Sequence, residues 1–450
     1  MFKKVLIANR GEIALRINRA CHELGVATVA VFSEADRQSL HVRHADEAFC
    51  VGPGPVARSY LNIPNIISAA LVSGCDAIHP GYGFLAENAR FAEIAADHGL
   101  TFIGPRPSVI AAMGDKATAK RIMQEAHVPT TPGSGVLSSL DEARRAAEAI
   151  GYPVLLKATA GGGGKGMRAV ATPAELPNAY ATAQAEAEAS FKDGRMYVEK
   201  LMLNPRHIEV QVLADEHGGV VHLGERDCSV QKPSHQKLIE EAPASGLDPE
   251  LRARLHNVAV TATRAVGYTN AGTLEFLVSG DAMYFMEMNT RIQVEHPVTE
   301  LIYGVDLVKE QIRIAAGEPL GFSQDDLHPH GHAIEVRVNA EDADNNFAPA
   351  AGTLSTVVFP GGPGIRVDTH VYGGATVPPF YDSMLAKIIA VGRTRESAIT
   401  RMERALGETR IEGVKTTVGI CREIMASAEF RAGGVGVAWL PEFLVQRAAV

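Results

Sequence analysis

The chain has 450 residues, more than a single hydrophobic core usually holds, so we expect two to three subdomains. Hydrophobic residues make up 46% of the chain and the net charge is −9, which is typical of globular proteins and argues against general binding of nucleic acid or anionic membranes. No apolar stretch approaches the roughly 20 residues of a membrane span. The five cysteines lack C-x-x-C spacing, which predicts reduced thiols in a cytoplasmic protein.

Strand-like and helix-like segments alternate over residues 1–114, which predicts a parallel α/β domain. The predicted strands are 5–8, 28–32, 76–79 and 101–104, and the predicted helices are 12–24 and 88–98. Gly81 and Gly83 interrupt the pattern just after a strand, where open α/β sheets place ligand-binding loops.

A small unit follows a helix at 116–126 and a linker at 129–135. Its predicted elements are helix 140–150, strand 154–158, strand 167–170 and helix 173–191. Strands dominate from 196 to 289, and helices return at 297–316. After His332 the pattern indicates a mostly β segment that leads to a helix at 395–406.

A glycine-rich loop separates the two strands of the small unit, at residues 159–166. It is not a Walker A loop, because Thr159 stands where the first glycine belongs and Gly166 follows the lysine. A dinucleotide fingerprint would open a helix, whereas a strand-like segment follows here. Exposed backbone N–H groups could fold over phosphates, and Lys157 on the preceding strand favours that interpretation over a plain surface hairpin.

Two glutamates form the second candidate site, on a predicted hairpin over residues 273–289. A three-residue loop at 280–282 would place Glu275 opposite Glu287, where carboxylates about 5 Å apart repel by roughly 3 kcal/mol. Asn289 would share their face, and oxygen ligands of this kind suit Mg²⁺. A two-residue loop would put the glutamates on opposite faces, and an exposed strand face is the plainer alternative.

The same alternation continues through Arg291, Gln293 and Glu295, with apolar residues between them. An anion clamp, an amide donor and a base would suit a small oxyacid such as bicarbonate, although a solvent-facing strand gives the same pattern. Similar alternation at 207–211 and 335–339 is more typical of a solvated strand face. The polar stretch 225–237 indicates a loop in which His235 and Lys237 are candidates for phosphate or bicarbonate contacts.

Seven segments together resemble the biotin carboxylase family, within the ATP-grasp superfamily. They are IANRGEIA at 7–14, HPGYGFLAEN at 79–88, MGDK at 113–116, the glycine loop, ERDCS at 225–229, EMNTRIQVEH at 287–296 and YDSM at 381–384. The resemblance implies an α/β and α+β architecture: an N-terminal α/β domain at 1–114, an ATP-grasp domain at 115–330 with a lid at about 130–203, and a mostly β C-terminal domain at 331–450.

The resemblance also assigns residues to ATP and to Mg²⁺ or Mn²⁺. Lys116 and Lys157 would hold the phosphates, under a loop containing Gly163 and Gly164. Adenine would contact Glu199, Lys200 and Met202, with His207 and Leu277 nearby. The metal would be bound by Glu275, Glu287 and Asn289.

Further residues are assigned to bicarbonate and biotin by the same resemblance. Bicarbonate would be bound by Lys237, Arg291, Gln293 and the backbone of Val294, and its proton would pass to Glu295. Biotin would contact Tyr82, and Arg337 would stabilise the biotin oxyanion. Carboxyphosphate would be the intermediate, and its phosphate would remove the ureido proton.

One departure from the family pattern bears on this set. The spacer Lys232-Pro233-Ser234 is one residue longer than usual and contains a proline, which affects the expected placement of His235 and Lys237.

The chain shows no biotin-attachment sequence, so we expect biotin on a separate carrier protein, together with carboxyltransferase subunits and a homodimeric enzyme. Acetyl-CoA carboxylase is the expected context, and propionyl-CoA, pyruvate or another biotin-dependent carboxylase is the alternative. A different ATP-grasp ligase, or a binding paralogue without turnover, is disfavoured because Arg291, Glu295 and Arg337 are all present.

Overall fold

A computed structural model describes residues 1–159, 166–191 and 193–448. The chain divides into two compact units. The larger contains Met1–Val128, Arg206–Phe276 and Glu287–Val450, and the smaller contains Pro129–Pro205 and Leu277–Met286. Within the described part of the chain, no helix combines the length and apolar character needed to cross a bilayer.

The N-terminal segment forms a five-stranded parallel sheet in the order β3-β2-β1-β4-β5. Its strands are β1 (Lys4–Ile7), β2 (Ala27–Ser33), β3 (Glu47–Gly52), β4 (Ala77–His79) and β5 (Thr101–Phe102), and its helices are α1 (Gly11–Glu23), α2 (Leu40–His44), α3 (Ile63–Val72), α4 (Ala89–Asp97), α5 (Pro107–Gly114) and α6 (Lys116–Glu125). The predicted parallel α/β domain is confirmed. Strand β3 was missed because only Val51 of its six residues is buried, so it lacks an apolar pattern.

The smaller unit contains a three-stranded antiparallel sheet in the order β7-β6-β8. Its elements are α7 (Leu140–Ile150), β6 (Val154–Ala158), β7 (Met167–Val170), α8 (Leu176–Phe191) and β8 (Met196–Lys200). Lys157 pairs with Met167 in the β6–β7 register, which confirms that the glycine-rich loop joins two strands. Gly163 and Gly164 lie outside the described residues.

An eight-stranded sheet in the order β13-β12-β9-β10-β11-β14-β21-β19 carries most of the polar motifs. Its first part is β9 (Arg206–Ala214), β10 (Val220–Gln231), β11 (Lys237–Ala242), α9 (Pro249–Ala265), β12 (Asn270–Ser279), β13 (Ala282–Asn289), α10 (His296–Tyr303), α11 (Leu307–Ala315) and β14 (His332–Asn339). Helix α9 was not predicted, since strands were expected to dominate residues 196–289.

The C-terminal segment adds two long strands to this sheet and ends in helices. Its elements are β15 (Glu341–Asp342), β16 (Ala348–Pro349), β17 (Gly352–Thr353), β18 (Thr356–Val358), β19 (Ile365–Thr369), β20 (Thr376–Val377), β21 (Met384–Gly392), α12 (Arg395–Glu408), β22 (Arg410–Glu412), α13 (Val418–Ala426), α14 (Ala428–Ala432) and α15 (Trp439–Ala448). The predicted helix at 395–406 is present as α12. Helices α13 to α15 were not predicted, and their apolar side chains join α12 in one core over the sheet.

Three local predictions are wrong. Residues 225–231 belong to the buried strand β10 and not to a polar loop. The turn between β12 and β13 has two residues, Gly280 and Asp281, and not three. Strand β13 ends at Asn289, so the alternation predicted to reach Glu295 stops there, and a turn leads into α10.

Candidate active site

Lys237, the first residue of β11, lies at the centre of a cluster of carboxylates. Its Nζ donates to Glu209 Oε2 at 2.7 Å, to Glu275 Oε1 at 3.0 Å and to Glu295 Oε1 at 2.7 Å. The three carboxylates come from β9, from β12 and from the turn before α10. All three are almost fully buried, whereas the Lys237 side chain keeps 13% of its surface exposed. The cluster is therefore largely shielded from water, and Lys237 is its most exposed member.

The charges of this cluster hold one another in the ionised state. Burial alone would lower the pKa of Lys237, but the surrounding carboxylates raise it well above its ordinary value. Burial would raise the pKa of Glu275 and Glu295, but Lys237 and further cations keep both pKa values well below the usual range. Glu295 is therefore an ionised acceptor at neutral pH, as a proton acceptor must be.

Arg337, on β14, is the second cation at Glu295. Its Nη2 donates to Glu295 Oε2 at 2.9 Å, and its Nε donates to Glu240 Oε1 at 2.6 Å. Burial raises the pKa of Glu240 to about 7 despite the Arg337 charge. The structure thus brings Lys237, Glu295 and Arg337 together, as the family resemblance implies.

Arg226, which is fully buried on β10, connects Glu209 of this cluster to four other side chains by hydrogen bonds. Its guanidinium makes five hydrogen bonds, which use all of its N–H donors. The acceptors are Glu209 Oε1 at 2.5 Å, Gln211 Oε1 at 2.7 Å, Thr299 Oγ1 at 3.0 Å, Thr273 Oγ1 at 3.1 Å and Gln293 Oε1 at 2.9 Å. Gln293 is thereby fixed through its amide oxygen, and its amide nitrogen donates to Glu275 Oε1 at 2.7 Å.

The candidate metal ligands meet at Glu275. Asn289 Nδ2 donates to Glu275 Oε1 at 2.8 Å, and Asn289 Oδ1 accepts from Arg291 Nη2 at 2.8 Å. His207 Nε2 lies 2.9 Å from Glu275 Oε2. His207, Glu209 and Glu275 each offer a ligand atom within 4.8 Å of the others. In this arrangement the Asn289 oxygen is directed to Arg291, so binding a metal through it requires a change of partner.

Glu287 completes the carboxylate pair. Desolvation by the surrounding protein atoms, although the side chain keeps part of its surface exposed, and the negative charge of Glu275 raise the pKa of Glu287, while the Lys116 ammonium opposes that rise. The two carboxylates are thus close enough to repel, although the two-residue turn removes the simple facing geometry. Consecutive exposure of Met286 and Glu287 breaks the strand alternation, which explains why a count of residues from the turn failed. A divalent cation with oxygen ligands fits this pair, because it would relieve the repulsion.

Arg291 and Tyr82 lie beside this cluster. Arg291 Nε donates to Glu87 Oε2 at 2.9 Å, and the backbone N–H of Thr290 donates to Glu87 Oε1 at 3.2 Å. The Tyr82 hydroxyl donates to Glu12 Oε1. The carbonyl of Val294 accepts a hydrogen bond from a buried lysine of β21 at 2.8 Å.

The extra residue of the 232–234 spacer is absorbed by an exposed turn. The backbone N–H of His235 donates to Lys232 O at 2.8 Å, and His235 has a positive φ of 62°. His235 is exposed, whereas Lys237 makes all three contacts of the cluster. The longer spacer therefore does not displace Lys237.

The remaining candidates for the nucleotide belong to the smaller unit. Lys157 Nζ donates to Glu199 Oε2 at 2.7 Å, and Lys200 Nζ donates to the carbonyls of Gly151 and Tyr152 at 2.9 and 3.1 Å. Met202 and Leu277 are each half-buried.

Sequence reasoning missed Glu209, Arg226 and Glu240. The alternation at 207–211 and 335–339 was interpreted as a solvated strand face, but Glu209 and Glu335 are fully buried. Glu209 is paired with Arg226 and Lys237, and such pairing offsets the cost of burying a charged side chain.

Fold and site together define an ATP-grasp enzyme, and the family models agree. They match the biotin carboxylase N-terminal domain at residues 1–110, the ATP-binding domain of the carbamoyl-phosphate synthase L chain at 115–323 and the biotin carboxylase C-terminal domain at 335–442. The chain belongs to the biotin carboxylase family of ATP-dependent ligases.

Similar proteins cover nearly the whole chain. Biotin carboxylase of a Nostoc species is 56% identical over 98% of this chain and 99% of its own. One subunit of the pyruvate carboxylase of Methanothermobacter thermautotrophicus is 53% identical over 98% of this chain and 90% of its own. The biotin carboxylase domain of Hydrogenobacter thermophilus 2-oxoglutarate carboxylase, solved with MgADP, ADP and bicarbonate, has a TM-score of 0.92 at 51% identity, with 98% of each chain covered.

Proposed function

We propose that this chain uses ATP and bicarbonate to carboxylate biotin on a separate carrier protein, as the first half-reaction of acetyl-CoA carboxylase. The observation that carries the proposal is the meeting of Lys237, Glu295 and Arg337, which combines an ammonium, an ionised carboxylate and a guanidinium. Bicarbonate is an anion that must also lose a proton, and this set offers a cation for the first task and a base for the second.

Each residue then has a task that follows from its contacts. Lys237 and Arg291 bind the bicarbonate anion, and Gln293, fixed by Arg226, orients it through its amide. Glu295 accepts the bicarbonate proton, so that the anion attacks the γ-phosphorus of ATP and ADP leaves with the bridging oxygen.

The product, carboxyphosphate, breaks into CO₂ and phosphate beside biotin. Phosphate takes the ureido proton, and Arg337 stabilises the oxyanion that forms on the ureido oxygen. Tyr82 orients biotin. The adenine and phosphates of ATP are assigned to Lys116, Lys157, Glu199, Lys200 and Met202.

A divalent cation, Mg²⁺ or Mn²⁺, would be held by Glu275, Glu287 and Asn289, and when bound it neutralises charge on the transferred phosphoryl group. We further assign a homodimeric assembly, a biotin carrier protein and carboxyltransferase subunits as partners.

Two relatives support an alternative context, in which this chain serves a biotin-dependent carboxylase other than acetyl-CoA carboxylase. Relatives named as part of a 2-oxoglutarate carboxylase and as one subunit of pyruvate carboxylase are 51% and 53% identical to this chain. The half-reaction is the same in that case, and only the transferase partner differs.

The test of the half-reaction is ADP release from ATP, with bicarbonate present or absent and with free biotin present or absent. Release that requires bicarbonate and rises with biotin supports the proposal. Release that is independent of both, or that requires an amino acid instead, overturns it. Adding acetyl-CoA, propionyl-CoA or pyruvate with matching carrier and transferase subunits then identifies the acceptor.

A further inference from the structure

Lys387 is a fully buried lysine near the middle of β21, and the mechanism above does not use it. Its Nζ donates to Val294 O at 2.8 Å and lies 3.2 Å from Glu12 Oε1 and 3.9 Å from Asp368 Oδ2. Burial alone would lower the pKa of Lys387, but Glu12 and neighbouring carboxylates raise it, so the side chain is a charged ammonium. An ammonium at this depth is costly unless specific partners compensate for its lost hydration.

Glu12 connects this ammonium to the loop after β4. The residue lies in the first turn of α1, it is buried, and its Oε1 accepts a hydrogen bond from the Tyr82 hydroxyl as well as facing Lys387. The backbone of the same loop is held by Asn9, whose Nδ2 donates to Pro80 O and Tyr82 O at 2.7 Å each. Both the backbone and the hydroxyl of Tyr82 are therefore fixed from the end of β1 and the start of α1.

Four groups thus form one continuous chain of contacts, with a buried centre and half-buried ends: Val294 O, Lys387 Nζ, Glu12 Oε1 and the Tyr82 hydroxyl. One end lies in the turn assigned to bicarbonate, and the other end is the residue assigned to biotin. A buried ion pair contributes little net stability compared with a well-packed apolar pair of the same volume, so stability alone does not account for this one. Its two ends indicate a role in holding the two substrate contacts at a fixed separation.

We propose that Lys387 and Glu12 are positioning residues that hold the bicarbonate turn and the biotin-contacting Tyr82 in register. The inference rests on the proposed function. Neither residue touches a reacting atom: Lys387 acts through the carbonyl of Val294, and Glu12 acts through the hydroxyl of Tyr82.

The two residues should give different kinetic effects. Glu12→Met keeps the side-chain volume but removes the acceptor of the Tyr82 hydroxyl, so kcat/KM for biotin should fall about 10-fold, as expected when a charge-assisted hydrogen bond is lost. Bicarbonate-dependent ADP release without biotin should fall less than kcat/KM for biotin, because Lys387 keeps its hydrogen bond to the carbonyl of Val294. Glu12→Gln retains an acceptor oxygen and should recover most of the biotin kinetics.

Lys387→Met should lower both activities, because it loosens the turn at Val294 as well as Glu12. We expect about a 10-fold loss in kcat/KM for bicarbonate and a loss of similar size for biotin. Lys387→Arg keeps the charge and a donor and should lie closer to wild type. If Lys387→Met does not fold, the Glu12 variants and Lys387→Arg still test the proposal.

A double-mutant cycle separates positioning from general destabilisation. If Glu12 acts through the Tyr82 hydroxyl, adding Glu12→Met to a Tyr82→Phe enzyme should cause little further loss in kcat/KM for biotin. Glu225→Met is the matched control, because Glu225 is also a buried carboxylate of the larger unit and it pairs with Arg252 and His256 on α9, a helix that carries none of the residues assigned to bicarbonate or biotin. That control should lower the unfolding midpoint without changing KM for biotin.

Two outcomes would overturn the proposal while leaving the proposed function intact. One is full additivity of Glu12→Met and Tyr82→Phe, and the other is a Glu12→Met enzyme that loses stability but keeps wild-type kinetics for biotin. A wild-type enzyme without biotin-stimulated ADP release would instead contradict the proposed function itself.

Discussion

Replacing Arg226 with methionine removes a guanidinium that makes five hydrogen bonds and is fully buried. Glu209, also fully buried, loses one of its two cationic partners, and the oxygens of Gln211 and Gln293 lose a donor each. Removing one partner of a buried ion pair typically costs about 3–5 kcal/mol, because the remaining charge stays out of water. We therefore expect the free energy of unfolding to fall by about that amount.

The measurement is urea-induced unfolding followed by circular dichroism, with Arg404→Ala as the control. Arg404 pairs with Glu408 one helical turn away on the surface, and such exposed pairs contribute less than about 1 kcal/mol. Arg226→Lys should be intermediate, since it keeps the charge but supplies three donors in place of five. The reasoning is refuted if Arg226→Met unfolds at the same urea concentration as Arg404→Ala.

Three further predictions concern individual carboxylates. Glu295→Gln should abolish most bicarbonate-dependent ADP release while leaving ATP binding intact by calorimetry, and full activity would contradict its role as base. The pKa of Glu240 in the native state is about 7, compared with an ordinary pKa of 4.5. Between these pH values the native state holds a proton that the unfolded chain has released, so stability should fall as the pH rises. Glu240→Gln should flatten that fall in urea unfolding at pH 5.5 and 8, and an unchanged slope would count against the raised pKa. Glu287→Gln should raise the Mg²⁺ concentration for half-maximal activity about 10-fold, with wild-type dependence as the contradicting result.

Local sequence signals predicted the elements whose apolar pattern is regular. The strand from Val154 and the helix from Leu140 begin and end at the predicted residues, because a short apolar run marks the strand and a serine N-cap marks the start of the helix. The helices after Glu412 were missed because their apolar faces are completed by packing on α12, which a local window does not contain.

The site was predicted less well from the residues alone. The residues themselves made Lys237 and Glu295 candidates, and the family resemblance added Arg337; the structure brings these three together, but nothing local identified the charges that fix them. Glu209 and Arg226 lie on neighbouring strands and meet because β9 and β10 pair in a particular register. Such pairing joins residues far apart in the chain, so spacing along the sequence carries no direct signal for it.

The three carboxylates around Lys237 also set a limit on affinity. An ammonium has three N–H groups, and here all three are occupied, so an incoming anion finds no vacant donor and must compete with a neighbouring glutamate. In the proposed function, capture of bicarbonate therefore requires Lys237 to exchange one of these carboxylate contacts for the anion. Selectivity among anions would then depend on the event that moves one glutamate away from Lys237. The correct anion would bind only together with its reaction partners.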